Sequence, residues 1–386
     1  MPQPPDSTSP PPTLALTRDF ALEAIAAQAW DALVPGQPLL SHAFLSALHD
    51  TGCASRATGW TPRYLAAWRG PRLVGALPLY GKTHSYGEYV FDWGWADAYR
   101  RHGHRYYPKL VAAIPFSPVT GPRLLGSDAQ ARAALLAEAR ALLNEERHSS
   151  LHLLFVDDAD AELCERGGCT MRSGVQFRWA NAAYADFDAF LATFSREKRK
   201  KVKQDRRRVA EAGVTFVRKT GVEIDMADWA FLHRCYEATY RAHHSTPYLT
   251  HAFFERIGAT MPQHLLLVIG YRDGRPLCAA LDVFSADTLW GRYWGTLEYV
   301  PGLHFEACYY QAIEFAIERG LATFEGGAQG LHKLARGLAP IVTRSAHLID
   351  DPAFAAAIAD YCVREHADIE HTVGELEQSS PYRAAK

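Results

Sequence analysis

The sequence has no long hydrophobic run and almost no net charge. The first absence argues against a membrane-spanning protein, and the second argues against a protein that binds polyanions over its whole surface. No apolar stretch reaches the roughly 18 to 20 residues of a membrane-spanning helix. The formal net charge is −2 over 386 residues, so any binding of nucleic acid or phosphate must come from a local patch. The first twelve residues, MPQPPDSTSPPP, lack the apolar core of a signal peptide. We therefore expect a soluble, cytoplasmic protein with a disordered tail at residues 1–15 and no membrane span.

Metal-binding and nucleophile motifs are also missing. The seven cysteines are odd in number and scattered; only Cys164 and Cys169 lie close together, without a second pair. The histidines at 102, 104, 243 and 244 have no accompanying carboxylate or cysteine set, so we expect reduced thiols and no metal ion. There is no Gly-x-Ser-x-Gly elbow and no plausible Cys/His pair, which argues against a covalent nucleophile.

What the sequence does contain is an internal repeat. The segments PLLSHAFLSAL, from position 38, and PYLTHAFFERI, from position 247, agree at five of eleven positions. Each predicts an N-cap, Ser41 or Thr250, followed by an amphipathic helix. The segments GPRLVGALPLY, from position 70, and GRPLCAALDVF, from position 274, each predict a turn and a strand that complete a β-hairpin. One supersecondary unit is therefore present twice.

A third pair of segments extends the repeat. FDWGWADAY, from position 91, and RYWGTLEYV, from position 292, predict aromatic strands. Each precedes a Tyr-Tyr pair, at 106–107 and 309–310, that opens or sits in a helix, and Gly320 is the C-cap signal of the second helix. A strand then follows in each copy, LHLLFVD and ATFEGG. We place the boundary near 180–190 and call residues 16–185 the first half and residues 186–380 the second half.

This order of elements is similar to the GNAT acyltransferase unit, and its tandem form resembles the Fem-like peptidoglycan aminoacyltransferases and the peptidoglycan biosynthesis/recognition proteins of proteobacteria. The motifs that carry the resemblance are HSYGEYVFDWGWADAY, FSREKRKKVKQDRRRV, LHFEACYYQAIEFAIERG and FEGGAQGLHKLARG. The resemblance covers nearly the whole chain beyond the proline-rich tail. It implies an α/β (α+β) fold of tandem GNAT-like domains, each a mixed β-sheet flanked by helices.

The resemblance also implies a chemistry. A protein of this kind transfers an acyl or aminoacyl group to an amine of a small molecule or cell-wall precursor. It has no tightly bound cofactor and takes acyl-CoA or aminoacyl-tRNA as its donor, so tRNA is a possible partner. The chain departs from coenzyme A-binding GNAT enzymes, because its corresponding segment, LEYVPGLH at 297–304, has one glycine instead of a glycine-rich phosphate loop. An acetyl-CoA-dependent N-acetyltransferase and a catalytically inactive GNAT-like binding module therefore both stay open.

The segment LHFEACYYQAIEFAIERG supplies the catalytic candidates. Acyl transfer to an amine needs a group that takes up a proton and donors that stabilise an oxyanion. His304, Glu306 and Tyr309 meet these needs if a helix starts near His304, because residues three apart can share a face. The alternative is an amphipathic helix whose aromatic side chains pack on the sheet.

The glycine-rich segment FEGGAQGLHKLARG supplies substrate-binding candidates. Its glycines permit a close approach of the backbone to a ligand. Glu325 precedes them, and Gln329, His332, Lys333 and Arg336 follow, so cationic groups suited to a phosphate or carboxylate crowd one turn. The alternative is a turn with solvated charges.

The basic run REKRKKVKQDRRR, at 196–208, has nine Lys or Arg residues in thirteen. We place it on a helix and name Lys200, Lys203 and Arg207 as phosphate-binding candidates for tRNA, coenzyme A or a UDP-linked precursor. A charged run is as often only a solvated face.

Further substrate-binding candidates surround the Trp-Gly segments. In the first half they are Tyr86, Asp92 and Trp93, and in the second half Arg292. An Asp within an aromatic segment needs a partner if it is buried. Asp92 could therefore line an acceptor pocket or be a paired structural residue.

Overall fold

The structure is a computed structural model that describes residues 13–328 and 330–383. Most of the tail predicted at residues 1–15 lies outside the described residues, as does the substrate-binding candidate Gln329. Within the described ranges, no helix combines the length and the apolar character needed to cross a membrane. All seven cysteines are free thiols.

Fourteen strands and twelve α-helices are interspersed along the described residues. The strands are β1 Leu14–Arg18, β2 Trp60–Pro62, β3 Leu65–Arg69, β4 Arg72–Leu77, β5 Leu79–Lys82, β6 Lys109–Ala112, β7 Ser150–Val156, β8 Thr170–Ala180, β9 Val214–Thr220, β10 Leu265–Arg272, β11 Arg275–Phe284, β12 Thr288–Thr296, β13 Thr323–Ala328 and β14 Ala339–Ile349. The helices are α1 Ala27–Asp31, α2 His42–Asp50, α3 Trp93–Arg101, α4 Ala129–Glu145, α5 Asp158–Arg166, α6 Phe187–Ala192, α7 Arg196–Glu211, α8 Met226–Ala242, α9 His251–Thr260, α10 Leu303–Phe305, α11 Gln311–Glu318 and α12 Pro352–Gln378. A π-helical turn, Glu306–Tyr310, joins α10 to α11, and a 3-10 helix, Leu331–Arg336, follows β13.

A mixed sheet of eleven strands spans both halves, in the order β2-β5-β6-β7-β14-β8-β13-β12-β11-β10-β9, beside a three-stranded sheet β1-β3-β4. Each half repeats one topology. An outer strand (β1 or β9) pairs antiparallel with the first hairpin strand (β3 or β10). A parallel pair (β6–β7 or β12–β13) follows the hairpin. This mixed α/β architecture with helices on the sheet faces is the predicted fold class.

The last strand of each half crosses to the other half. β8 of the first half pairs with β13, and β14 of the second half pairs with β7. β8 and β14 also pair with each other over nine residues. This exchange makes the sheet continuous across the boundary predicted near 180–190, because antiparallel ladders join the two halves backbone to backbone.

The predicted repeat of helix starts is confirmed at α2 and α9. The side-chain oxygens of Ser41 and Thr250 accept hydrogen bonds from the backbone N–H of Phe44 and Phe253, the N-cap arrangement expected from the sequence. The two helices contact each other, and the Phe44 and Phe253 rings meet edge to face at 5.6 Å. Both predicted hairpins, β3–β4 and β10–β11, are present.

The prediction for FDWGWADAY was wrong. This segment forms helix α3, and Tyr106 and Tyr107 precede strand β6 instead of lying in a helix. Trp95 and Tyr99, four residues apart, are buried on one helical face while Trp93 is 41% exposed, so the aromatic spacing follows the helical period and not the alternation of a strand. The second Trp-Gly segment does lie in a strand, β12.

Candidate functional site

The candidate site begins where two parallel strands separate. β12 and β13 pair only from Thr288 to Trp290 and from Thr323 to Glu325. The two residues after Glu325, Gly326 and Gly327, pair neither with β12 nor with β8, whose ladder resumes at Ala328. Both ladders are therefore interrupted at this glycine pair, where the strands begin to separate.

One side of this opening is a cleft of about 590 Å³ between the two halves. Its lining comes from both halves: Tyr89, Phe91, Pro118, Thr239, Tyr240, His243, Ser245, Tyr248, Gly291, Arg292, Gly326 and Gly327. Arg292 spans the two halves, because its Nη2 donates to the Phe116 carbonyl at 2.8 Å. We call this the acceptor cleft.

The other face of the strands carries the second group of candidates. Tyr309 packs with α11 and Phe324 in a hydrophobic cluster separate from the one around α8 and α9. Its hydroxyl lies 3.1 Å from His332 Nε2. The His304 ring lies 5.5 Å from the Tyr309 ring and 5.8 Å from the His332 ring. The structure thus brings together three predicted residues, and a π-helical turn, a feature often found at functional sites, presents Tyr309.

Burial decides the charge of these groups. Burial, with the nearby cations, lowers the pKa of His304 to about 4. Burial, with Lys333 and Arg336, also lowers the pKa of His332, and burial raises the pKa of Tyr309 well above its usual range. At neutral pH this cluster therefore consists of a neutral imidazole at His304 and a protonated phenol at Tyr309.

Lys333 links the two faces. Its side chain is 2% exposed, and its Nζ donates to the Gly327 carbonyl at 2.7 Å. A Cβ at Gly326 would lie 2.7 Å from Leu338 but 3.6 Å from the Lys333 side chain, so the glycine is needed for the packing of Leu338 and leaves ordinary contact with Lys333. Burial lowers the pKa of Lys333 to about 8, although Cys308 opposes the shift.

Arg336 is held against its neighbours. Its guanidinium group lies 3.5 Å from the centre of the Phe305 ring, and Nη2 donates to Asp205 at 3.1 Å. Asp205 belongs to α7, so the predicted basic helix is joined directly to the 3-10 helix that carries Lys333.

Glu306 has a different set of partners from Tyr309. Its carboxylate accepts from Arg206 at 3.0 and 3.1 Å and from Gln311 at 2.8 Å. Burial raises the pKa of Glu306, and Arg206 lowers it in part. Both oxygens are therefore engaged by α7 and α11.

Two more carboxyl groups lie at the opening. Glu325 forms an ion pair with Arg178 at 2.6 Å, and burial raises its pKa despite that partner. Asp282 pairs with Gly291 across β11 and β12, is 1% exposed, and has its pKa raised by burial. Asp282 was not among the residues predicted from the sequence, although a single acidic residue inside the apolar run LCAALDVF is a signal for a buried polar group.

The first-half candidates divide between the surface and the interior. Tyr86 and Trp93 are 56% and 41% exposed, with ring centres 4.9 Å apart. Asp92 is buried, accepts from the Tyr106 hydroxyl at 2.6 Å and forms an ion pair with Lys109. These contacts are those of a paired structural residue, which is one of the two alternatives given for Asp92 from the sequence.

The phosphate-binding candidates lie on α7, which has the predicted helical form. Lys200, Lys203 and Arg207 are exposed, and Lys203 pairs with Asp188 at 3.1 Å. In the described part of the chain no group of three or more His, Cys, Asp or Glu side chains is arranged to hold a metal ion.

Comparison with known proteins gives a family match over most of the chain. The FemAB-like family model, described as peptidoglycan biosynthesis/recognition, matches residues 21–384. Comparison with curated proteins gives no match.

Solved structures add a likeness of fold. A crystal structure of FemX is similar with a TM-score of 0.54 and 14% identity, over 89% of this chain and 100% of that one. A conserved protein of unknown function from Bacteroides thetaiotaomicron has a TM-score of 0.49 and 12% identity, over 88% of this chain and 100% of that one. A tandem GNAT protein from the clavulanic acid biosynthesis pathway has a TM-score of 0.45 and 12% identity, over 88% and 99%.

Proposed function

Since this chain belongs to the FemAB-like family, we propose that it transfers an acyl or aminoacyl group to an amine on a cell-wall precursor. The single observation that carries the proposal is the gap between β12 and β13. There two glycines without strand partners lie between the acceptor cleft and the buried ammonium group of Lys333.

The gap between β12 and β13 is a place where the activated carbonyl group of a donor could bind. When an amine attacks a carbonyl carbon, the oxygen gains negative charge, and backbone N–H groups fixed beside it stabilise that charge. We assign this role to the backbone N–H groups of Gly326 and Gly327, two residues that have no register partner in either neighbouring strand. The amine would approach from the acceptor cleft, and the donor would lie on the opposite face, beside Tyr309 and His332.

We assign Lys333 the proton that the leaving group needs. In the reaction the new C–N bond forms and the bond from the carbonyl carbon to the donor's oxygen or sulfur breaks. Lys333 gives a proton to that departing atom, and the proton that the attacking amine loses returns to Lys333. A lysine with a pKa of about 8 is mostly charged at pH 7 and gives up its proton more readily than an exposed lysine. His304 and Tyr309 would orient the donor. Glu306, whose oxygens are bound by Arg206 and Gln311, would position the π-helical turn.

Two cations lie on the donor side, because Lys333 and Arg336 are close enough to lower the pKa of both His304 and His332. Arg336 is also joined through Asp205 to α7, the helix that carries the basic run. This arrangement favours a polyanionic donor, either aminoacyl-tRNA or acyl-CoA, over an uncharged ester. No tightly bound cofactor is part of the proposal.

A transfer assay tests the proposal. The purified chain would be incubated with UDP-N-acetylmuramoyl-pentapeptide and, separately, with charged tRNA or acetyl-CoA, and the acceptor would be examined by mass spectrometry. We expect an aminoacyl or acetyl mass increment with one donor and its loss in Lys333→Met. Arg275→Met, a change at an exposed cation on β11, serves as the control. Binding of the acceptor with no transfer from any donor would instead indicate a binding module.

A further inference from the structure

The loop at 83–92, between β5 and α3, has one set of side chains that faces the surface cavities and another that faces the protein interior. Tyr86, Tyr89 and Phe91 line cavities. Ser85 and Glu88, together with Asp92, are 3 to 5% exposed and turn into the protein. The loop therefore presents aromatic rings to ligand space and polar groups to the interior.

The aromatic set belongs to one extended groove. A cavity of about 420 Å³ that contains Tyr86 shares Ser245 and Tyr248 with the acceptor cleft. The cleft in turn shares Tyr89 and Phe91 with a smaller cavity beside β8 and β14. Each of these three sections has at least one wall residue from the loop, so the shape of the whole groove depends on where this loop lies.

The inward set converges on one ammonium group. Lys109 Nζ donates to Ser85 Oγ at 2.9 Å, to Glu88 Oε2 at 2.7 Å and to Asp92 Oδ2. An ammonium group has three N–H donors, so all of them are used by side chains of a single loop. Lys109 lies on β6, in the sheet and outside the loop.

Burial makes these contacts strong and costly to lose. The Lys109 side chain is 0% exposed, and charge-assisted hydrogen bonds strengthen when water is excluded. Burial alone would lower the pKa of Lys109, but Glu88 and Asp92 raise it above its usual value. Burial likewise works against the charge of Asp92, yet Lys109 holds that pKa well below the usual range. The Lys109–Asp92 pair is therefore ionic at neutral pH.

The loop backbone needs an external support of this kind. Gly87 has φ +80° and Tyr89 has φ +60°, a conformation that a bulky residue adopts only under constraint. A Cβ at Gly87 would lie 2.6 Å from the Phe116 ring, and Phe116 donates its backbone N–H to the Gly87 carbonyl at 3.1 Å. Lys82 adds a second, weaker tie through its 3.3 Å hydrogen bond to the Tyr86 carbonyl.

We propose that Lys109 is a positioning residue for substrate recognition: its buried ammonium group fixes the loop at 83–92, and thereby the wall that Tyr86, Tyr89 and Phe91 give to the acceptor groove. The inference rests on the proposed function for the identity of the acceptor. The fixing of the loop does not depend on that identity. Lys109 itself touches no substrate, so its effect is on acceptor affinity and not on the chemical step.

Hydrogen–deuterium exchange of the free protein tests the fixing of the loop. We expect amide exchange of the 83–92 peptide to accelerate roughly ten- to a hundredfold in Lys109→Met, the range expected for the loss of a charged hydrogen-bond partner. The peptides of β7 and β12 should keep their protection. Lys219→Met, which removes an ion pair with Asp228 elsewhere in the molecule, is the matched control and should leave the loop peptide unchanged. Unchanged exchange of the loop in a folded Lys109→Met protein would overturn the proposal, as would an equal acceleration over all peptides.

Ser85→Ala covers the case in which Lys109→Met does not fold. It removes one of the three acceptors without leaving a buried charge alone, and it should accelerate exchange of the loop peptide by about threefold to tenfold. An unchanged loop peptide in this variant also refutes the proposal.

Kinetics separate positioning from a merely structural effect. With UDP-N-acetylmuramoyl-pentapeptide, Ser85→Ala and Lys109→Met should raise the acceptor KM and leave kcat within about twofold, a loss of uniform binding. A fall in kcat at unchanged KM would contradict the assignment. If the wild-type protein neither binds nor modifies this acceptor, the proposed function fails, while the exchange experiment still decides whether Lys109 fixes the loop.

Discussion

Replacing Lys333 by Met should stabilise the protein while it abolishes transfer. Burial lowers the pKa of Lys333 from 10.5 to about 8, so the folded state holds this charge at a cost that the unfolded chain does not bear. Each pH unit between the two pKa values corresponds to about 1.36 kcal/mol. At pH 7 the cost is therefore about 3 kcal/mol. The hydrogen bonds that Met loses, with the one to Gly327 among them, return roughly 1 kcal/mol of it. We expect Lys333→Met to unfold with a free energy about 2 kcal/mol higher than that of the wild type.

The stability of the wild type relative to Lys333→Met should change with pH in a definite direction. Below about pH 8 the lysine is charged in both states and the cost is fully present. Between about 8 and 10.5 the folded state has lost its proton and the unfolded state still binds one, so the stability of the wild type rises with pH. The advantage of Lys333→Met should therefore shrink by about 2 kcal/mol between pH 7 and about pH 9.5.

Urea unfolding followed by tryptophan fluorescence, at both pH values, measures this difference. Lys219→Met, at a partly exposed lysine paired with Asp228, is the control and should lose stability instead of gaining it. A Lys333→Met protein that is less stable than the wild type at pH 7 would refute the reasoning, as would a difference that does not change with pH. Either result would mean that the ammonium group is stabilised by its surroundings and is not strained for function.

Four further predictions concern activity, packing and charge. Transfer by the wild type should decline as pH rises above about 8, because the Lys333 ammonium group loses its proton there, and Lys333→Arg, if it retains activity, should remove that decline from the pH–rate profile. Glu306→Gln should reduce kcat by less than about tenfold, because its carboxylate is bound by Arg206 and Gln311; a loss of a thousandfold, the scale of a missing catalytic group, would identify Glu306 as catalytic. Gly295→Ala should destabilise the protein by about 3 kcal/mol or more in chemical denaturation, since its Cβ would lie 1.9 Å from a backbone oxygen of α8, whereas Gly94→Ala in α3, with nothing within 4 Å, should be neutral or slightly stabilising. Reversal of the exposed charges of α7 should slow association with charged tRNA at low salt, and rates insensitive to both salt and the reversal would exclude a role for the helix.

Local patterns predicted a large part of the fold. The N-caps Ser41 and Thr250, the two hairpins and helix α7 depend on contacts within a few residues, so their signals are complete in the sequence. The strand prediction for the aromatic segment at 91–99 was wrong because Trp93 and Trp95 are two residues apart, which is the spacing of side chains on one face of a strand. Only the burial of Trp95 with Tyr99 shows that the helical period applies.

Several residues of the candidate site could be named from the sequence, but their arrangement could not. The cluster of His304, Tyr309, His332 and Lys333 came from composition and a family resemblance, and the structure brings these side chains together. Glu306 was grouped with Tyr309 by its spacing, but its carboxylate is taken up by Arg206, one hundred residues earlier in the chain. A spacing rule describes one helix and carries no information about what packs against it.

The sequence alone thus determined the duplicated unit, its helix starts and hairpins, and the residue types of the candidate site, because these follow from short-range periodicity, capping and composition. Tertiary structure alone decided the exchange of β8 and β14, the separation of β12 from β13 at the glycine pair, and the convergence of Ser85, Glu88 and Asp92 on Lys109. These features depend on which distant segments become neighbours and on how much water their polar groups lose, and both are fixed only when the whole sheet is assembled.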